Sequence, residues 1–407
     1  MSATVNGTLH IVGAGLAGLS AAVAAARSGR KVVLHEAAGH AGGRCRSFRD
    51  EKLDRIIDNG SHLVLGANRT ALAYASATGG LEAMIPTAPA FPFADLATGS
   101  RWTVTPTSLP AGLGEILRAL GLPWTGKAET VKSRLGGGRS FTRFWLPMCE
   151  AILNTAPEEA SARMFAWTMR RALLGGNAAL IPWVFPLGLS AALVAPALAT
   201  LGSFGAEIHF RRRLLAADGH GLTFDDGRIE LGPQDRAILA LPPWALTSVL
   251  PGQMPEMPTR PIVNAHFRLD GPAALPGGSH FLGLVNAAGH WLFARGDVLS
   301  VTVSAADSLA ERPAEDVAAL LWDEACRAIG LPASSPPAFR IMKERRATLA
   351  HDRDTIARRP GPRTAHPHIF LAGDWLASPW PCTIEAAIAS GLASARLATA
   401  QARLSFA

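Results

Sequence analysis

Gly13, Gly15 and Gly18, an acid at Glu36, an arginine at Arg44 and an aspartate at Asp374 are the residues whose types and spacing can do chemistry in this chain. Gly13-Ala14-Gly15-Leu16-Ala17-Gly18 is a G-x-G-x-x-G run, with Glu36 about 20 positions on, the arrangement a dinucleotide site requires. Gly13 permits a tight turn, Gly15 lets backbone approach a pyrophosphate, and Gly18 lets helix and strand pack closely. Leu16 and Ala17 lie inside this run, just ahead of a helix whose N-terminus offers free N–H groups and a positive dipole end to phosphate. Glu36, followed by Ala37, can accept from ribose hydroxyls, and its charge disfavours the 2′-phosphate of NADP. Gly43 and Arg44 follow, and an arginine fork satisfies phosphate oxygens that a helix end leaves over.

The elements that must position these groups are readable around them. Residues 9–12 are an apolar strand, 19–28 an alanine-rich helix ended by Gly29, and 31–35 a second strand: one β-α-β unit. At the other end, residues 368–371 form an apolar strand running into Gly373-Asp374, and a helix starts near Thr383. Between them the reading predicts helices at 70–78, 113–120, 129–135, 141–153, 187–201 and 313–329. It predicts strands at 91–93, 101–104, 207–210, 213–215, 222–224, 228–230, 236–241, 262–269, 278–285, 291–293 and 299–304, the last four as an antiparallel sheet. Trp124, Trp145, Trp167 and Trp183 are read as core aromatics that can also wall an apolar cavity.

G-x-G-x-x-G, then Glu36, then Gly42-Gly43-Arg44, then Asp58-Asn59-Gly60-Ser61-His62 resembles the flavin-dependent amine oxidase and carotenoid desaturase superfamily. The resemblance implies FAD as cofactor. It implies an α/β fold, a Rossmann-like FAD-binding domain with an inserted α+β substrate domain. The FAD domain is expected to be discontinuous (1–75, 200–260 and 360–407), with 76–199 and 261–359 binding substrate. Arg44 would lie against pyrophosphate and flavin, Leu214 would contact adenine through its backbone, and Asp374 would accept from a ribitol hydroxyl. Gly60, Ser61 and His62 would border the flavin, as would Cys382, Thr383 and Ile384, where the helix start near Thr383 would aim its N–H groups at the N1–C2=O edge.

Residues 58–67, Glu344-Arg345-Arg346-Ala347-Thr348, Arg358 to Arg363, Leu371 to Trp375, and Pro381 to Ala387 with Ser390-Gly391 narrow the resemblance to the squalene-associated desaturase group, the hydroxysqualene dehydroxylases of hopanoid biosynthesis. Ser61 stands where glutamine is expected and Cys382 where alanine is usual. The implied reaction removes the hydroxyl of an allylic alcohol and fills its carbon with hydride from reduced FAD. Water is lost once the oxygen is protonated, so an acid is needed in a dry cavity. His62 is the candidate acid; its alternative role is to hydrogen-bond backbone and shape the cofactor loop. Rival readings are a carotenoid-type desaturase or isomerase, an amine oxidase, and a prenyl-lipid carrier that uses no flavin. With one tyrosine, Tyr74, the chain cannot build the paired-tyrosine cage of many amine oxidases.

Composition sets the remaining bounds. A chain of 407 residues, 48% of them hydrophobic, suffices for two cores. Net charge +7, with only five lysines among 39 basic residues, favours anionic surfaces. No basic patch interleaved with aromatics argues for nucleic acid, so peripheral contact with an anionic membrane is the expected partner surface, beside an apolar isoprenoid substrate and an unidentified electron donor. Four scattered cysteines show neither metal spacing nor a disulfide framework, so no metal is expected. With no leader ahead of the nucleotide motif, a cytoplasmic location is expected, peripheral on the membrane's inner face. Residues 172–206 carry no charge, but Pro182, Pro186, Pro196 and five glycines interrupt them, which argues for a cavity wall rather than a spanning helix.

Overall fold

The computed structural model describes residues 7–122, 129–399 and 406, so Trp124 lies outside the described residues. Five parallel strands make the sheet that carries the first motif. Their spatial order is Glu207–Phe210, Lys31–Glu36, Thr8–Val12, Arg236–Leu239 and Ile369–Leu371. Leu9, Ile11, Leu34 and Ile238 are fully buried, as strands covered on both faces demand.

The first helix, Leu16–Arg27, begins three residues earlier than expected, its opening turn closed by the Leu19 N–H on Gly15 O at 2.9 Å. Every residue from Leu16 to Ala26 is buried, because the last helix, Ile384–Thr399, lies across it. The crossing is close: a Cβ on Gly391 would sit 2.0 Å from Ala17 O. Ser20 Oγ donates to Ile388 O at 3.1 Å across the same contact.

The predicted helix over 187–201 is two, Leu189–Leu193 and Ala195–Ser203, broken at Val194 ahead of Pro196. Leu189, Ala192, Ala197 and Leu201 pack in the same core as the first helix. That core therefore takes residues from before position 199, where the expected domain boundary stood.

The second sheet has seven strands, ordered Phe339–Leu349, Thr259–Arg268, Val298–Val303, Trp291–Arg295, Phe281–Val285, Phe91–Asp95 and Arg101–Val104. Two features correct the expected four-stranded antiparallel sheet. The hairpin Phe91–Asp95/Arg101–Val104 joins through a parallel pairing with Phe281–Val285, and Phe339–Leu349 adds an edge strand along Thr259–Arg268. The predicted helix over 313–329 is observed at Ala314–Ile329, and its Val317, Ala318, Leu321 and Ala325 cover one face of this sheet. On the other side a helical lobe packs around Trp145, Phe165 and Phe281, formed by Leu113–Ala119, Val131–Leu135, Leu146–Leu153 and Ala162–Leu173. The last of these helices had not been predicted.

Candidate active site

The three motif glycines are each required by their surroundings. Gly13 has φ +103°, and a Cβ there would meet Ala240 O at 2.5 Å. On Gly18 a Cβ would lie 1.8 Å from Gly13 O, so the turn and the helix could not both keep their places. Gly15 has nothing within 4 Å of its would-be Cβ. That leaves an open cradle at the first turn of Leu16–Arg27, the shape a pyrophosphate needs. Gly42 N–H donates to Ala14 O at 2.8 Å, and Gly43 closes over Gly15, its would-be Cβ 3.4 Å from Gly15 Cα.

Glu36 is held ready by backbone. Its Oε2 accepts from Ala14 N–H at 2.7 Å and its Oε1 from Ala38 N–H at 2.8 Å, leaving further lone pairs for ribose hydroxyls. Exposed Ala37 lies between these contacts. Arg212 N–H donates to Glu36 O at 2.9 Å and Arg211 N–H to Ala38 O at 3.1 Å. This brings buried Leu214, two residues on, to the Glu36 end of the cradle.

Arg44 and Asp374 meet. Arg44 Nη2 donates to Asp374 Oδ1 at 2.7 Å, and Nη1 donates to Ala347 O. Behind Asp374, Gly373 N–H donates to Ser390 Oγ at 2.9 Å. Buried Arg359 donates to Asp374 O at 2.7 Å, Trp375 O at 3.1 Å and Trp380 O at 2.9 Å. A guanidinium can thus fold the 374–380 loop around itself, its burial favouring loss of the charge and so lowering its pKa.

The last helix is aimed by three residues. Thr383 Oγ1 accepts from Ala386 N–H at 3.3 Å, which makes Thr383 the cap of Ile384–Thr399. His351 Nε2 accepts from Cys382 N–H at 2.9 Å while its Nδ1 donates to Leu153 O. Burial lowers the His351 pKa to about 4, so the ring stays neutral and keeps the tautomer that both bonds need. Buried Glu385 accepts from Thr70 N–H at 3.1 Å and Ala71 N–H at 2.8 Å, tying the last helix to the start of Arg69–Thr78.

A cavity of about 280 Å³ opens beside this helix start. Gly60, Ser61, His62, Cys382, Thr383 and Ile384 border one end, and the remainder is largely apolar: Phe91, Leu109, Phe144, Met148, Ile152, Met169 and Trp380 among others. Asn264 supplies the polar corner, donating to Asn59 O at 3.4 Å and accepting from Thr302 Oγ1 at 2.7 Å. Three titratable side chains line the cavity among the described residues: His62, Cys382 and Glu385. Glu385 has both oxygens engaged. Burial pushes the Cys382 thiol up to about 12, and its sulfur leans on Asp374 O at 3.6 Å, so it is an inert packing group. His62 Nδ1 bonds Gly60 O at 2.9 Å, and its Nε2 has no partner among the described residues.

All eighteen sequence-predicted positions therefore fall on the cradle or the adjoining end of the cavity. Sequence reasoning missed His351, Arg359, Asn264 and Glu385. Arg359 and Glu385 stood inside stretches already singled out; His351 and Asn264 had no local signal. Tyr74 is fully buried with its hydroxyl donating to Leu193 O at 3.0 Å, so it walls no amine cage.

The model of the flavin-containing amine oxidoreductase family matches residues 16–399. Hydroxysqualene dehydroxylase of Sinorhizobium fredii is 39% identical, with 97% of this chain and 98% of the relative covered. The enzyme of the same name from Rhodopseudomonas palustris is 37% identical over 97% and 99%. Among solved structures, putrescine oxidase bound to putrescine superposes with TM-score 0.71 at 17% identity, over 97% of this chain and 99% of that one. Cyclohexylamine oxidase from Brevibacterium oxydans gives TM-score 0.72 at 17% identity over the same shares. These two show the fold. With the open cradle at Gly15, the Glu36 acceptor, the Arg44–Asp374 pair and the capped helix at Thr383 fitting FAD, and full-length relatives above 30% identity, the chain belongs to the flavin-containing amine oxidoreductases and, within them, to the hydroxysqualene dehydroxylase family.

Proposed function

We propose that this enzyme reduces hydroxysqualene to squalene, a step serving hopanoid formation, and that His62 is its acid. The observation that carries the reading is one cavity whose end is bordered by Gly60, Ser61 and Cys382 to Ile384 and whose body is apolar. FAD, bound in its reduced form, supplies the hydride that replaces the hydroxyl. The chain's own groups do the rest. Gly15, Leu16, Ala17 and Arg44 bind phosphates, Glu36 the ribose and Asp374 the ribitol. Phe91, Phe144, Met148, Met169 and Trp380 hold a hydrocarbon and keep water from the carbon that loses its oxygen. His62 holds one proton at Nδ1 on Gly60 O. A second proton, at Nε2, is the one handed to the leaving oxygen.

The test is anaerobic incubation of the photoreduced enzyme with hydroxysqualene, phytoene and a set of polyamines, with products read by gas chromatography. Squalene formed in amount equal to flavin oxidised is expected. Turnover of phytoene or a polyamine without squalene would overturn the reading.

A further inference from the structure

Between positions 113 and 173 nine basic residues stand against five acidic. This segment builds the helical lobe over the cavity. Its acids are engaged: Glu115 accepts from Ser140 Oγ at 2.6 Å, Glu129 pairs with Arg134, and Glu158 lies 4.0 Å from Lys132. Exposed Arg118, Arg139, Arg163 and Arg171 have no carboxylate within ion-pair distance among the described residues.

The same lobe exposes large apolar side chains. Leu113 is 73% exposed and Leu174 68%, with Leu117, Leu122 and Trp167 also open to solvent. Leu113 and Leu117 are one turn apart on Leu113–Ala119. On Ala162–Leu173 the outward stripe is Arg163, Trp167 and Arg171, continued by Leu174, while Met164, Phe165 and Met169 face inward. The two helices are tied where Arg170 Nε donates to Leu120 O at 2.5 Å. Isolated exposed leucines are ordinary, but a cluster edged by uncompensated guanidinia is not. Leucine and tryptophan beside arginine is the composition of an interfacial surface.

We propose that the outer surface of this lobe seats on an anionic lipid bilayer, its leucines and Trp167 entering the headgroup layer and its arginines holding lipid phosphates. The contact is a seat and not a span, since no helix among the described residues is long and apolar enough to cross a membrane. Its position follows from the cavity below: Leu109 and Leu173 line that cavity, four positions and one position ahead of exposed Leu113 and Leu174, and Arg171 lies 5.2 Å over the ring of cavity-lining Trp380. A lobe seated this way takes a water-insoluble substrate without releasing it to solvent; that part rests on the isoprenoid reading, whereas the seat rests on the surface alone.

The test is co-sedimentation of the FAD-loaded enzyme with vesicles of equal parts phosphatidylglycerol and phosphatidylcholine, and with phosphatidylcholine alone. Binding to the mixed vesicles that is released by high salt is expected, with at least about tenfold weaker binding for Leu113→Glu/Leu117→Glu. Leu331→Glu, an exposed leucine outside the lobe, should bind as the wild type does. All three should turn over detergent-dispersed hydroxysqualene alike, which separates a failed seat from a failed assignment of the reaction. A wild-type enzyme that stays in the supernatant with mixed vesicles, or a double variant that sediments like the wild type, would overturn the proposal.

Discussion

Arg44 Nη2 lies 2.7 Å from Asp374 Oδ1, which joins residues 330 positions apart into one half-buried ion pair. The first cofactor signature is thereby clamped to the second at the point where the pyrophosphate would meet the ribitol. Asp374→Ala removes both the clamp and the proposed ribitol acceptor. Charge-assisted hydrogen bonds contribute about 1.5–3 kcal/mol, so FAD affinity should fall roughly 10- to 100-fold. Asp374→Asn should fall less. Quenching of flavin fluorescence on titration reads both, and unchanged affinity in the alanine variant would remove Asp374 from the site.

His62→Ala is expected to lower kcat about 100-fold or more, the range in which a positioned acid acts. FAD content and KM should stay near the wild-type values, since among the described residues His62 is hydrogen-bonded to Gly60 O alone. Normal turnover with bound flavin would show that the histidine merely shapes its loop.

Gly391→Ala should destabilise the fold by about 1–3 kcal/mol, the usual cost of overpacking a tight contact. The added carbon would stand 2.0 Å from Ala17 O and 2.1 Å from Ser20 Oγ. Thermal unfolding measures it. A midpoint equal to the wild type's would mean the two helices can separate freely.

Acid should weaken the protein well above the carboxylate range. Burial lowers His266, His290 and His351 to about 4 from 6.5, and His35 to about 3. Each favours the neutral folded form, so its contribution is complete above 6.5 and is lost as pH falls towards 4. In that window the unfolded chain binds the extra protons, at about 1.4 kcal/mol per pH unit for each histidine. Glu150 runs the other way, because burial raises it to about 7 from 4.5. Its contribution is complete below 4.5 and is lost as pH rises through 7. Glu150→Gln deletes that opposing term, so stability between pH 6.5 and 4.5 should fall more steeply by about one proton. Urea midpoints across the window test this, and an unaltered slope would rule out the buried neutral carboxyl.

The parallel sheet and its cradle were legible because their determinants are local. Glycines at fixed offsets, an apolar strand before them and an acid after them have no other common use. The edge strand Phe339–Leu349 was not legible. Its Lys343-Glu344-Arg345-Arg346 run breaks the apolar alternation of a strand, yet Arg340 pairs with Asp50 and Arg345 with Glu311 while the backbone ladders along Thr259–Arg268. His351 escaped for a different reason: its partners, Leu153 O and Cys382 N–H, are 198 and 31 residues away. Asn264 likewise matters only because the sheet sets it beside Gly60. Cofactor contacts follow motifs; the residues that aim them follow topology.

Ile369–Leu371 is one edge strand of the parallel sheet, and Ile384–Thr399 seals the first helix from behind. During synthesis the β-α-β unit therefore emerges from the ribosome with one side of Leu16–Arg27 bare, and stays so until nearly the whole chain has followed. Contacts of such long sequence separation form late. A nascent chain stopped before Gly373 would have its glycine turn and Glu36 but neither Asp374 nor the helix start at Thr383, so cofactor loading belongs to a nearly finished polypeptide.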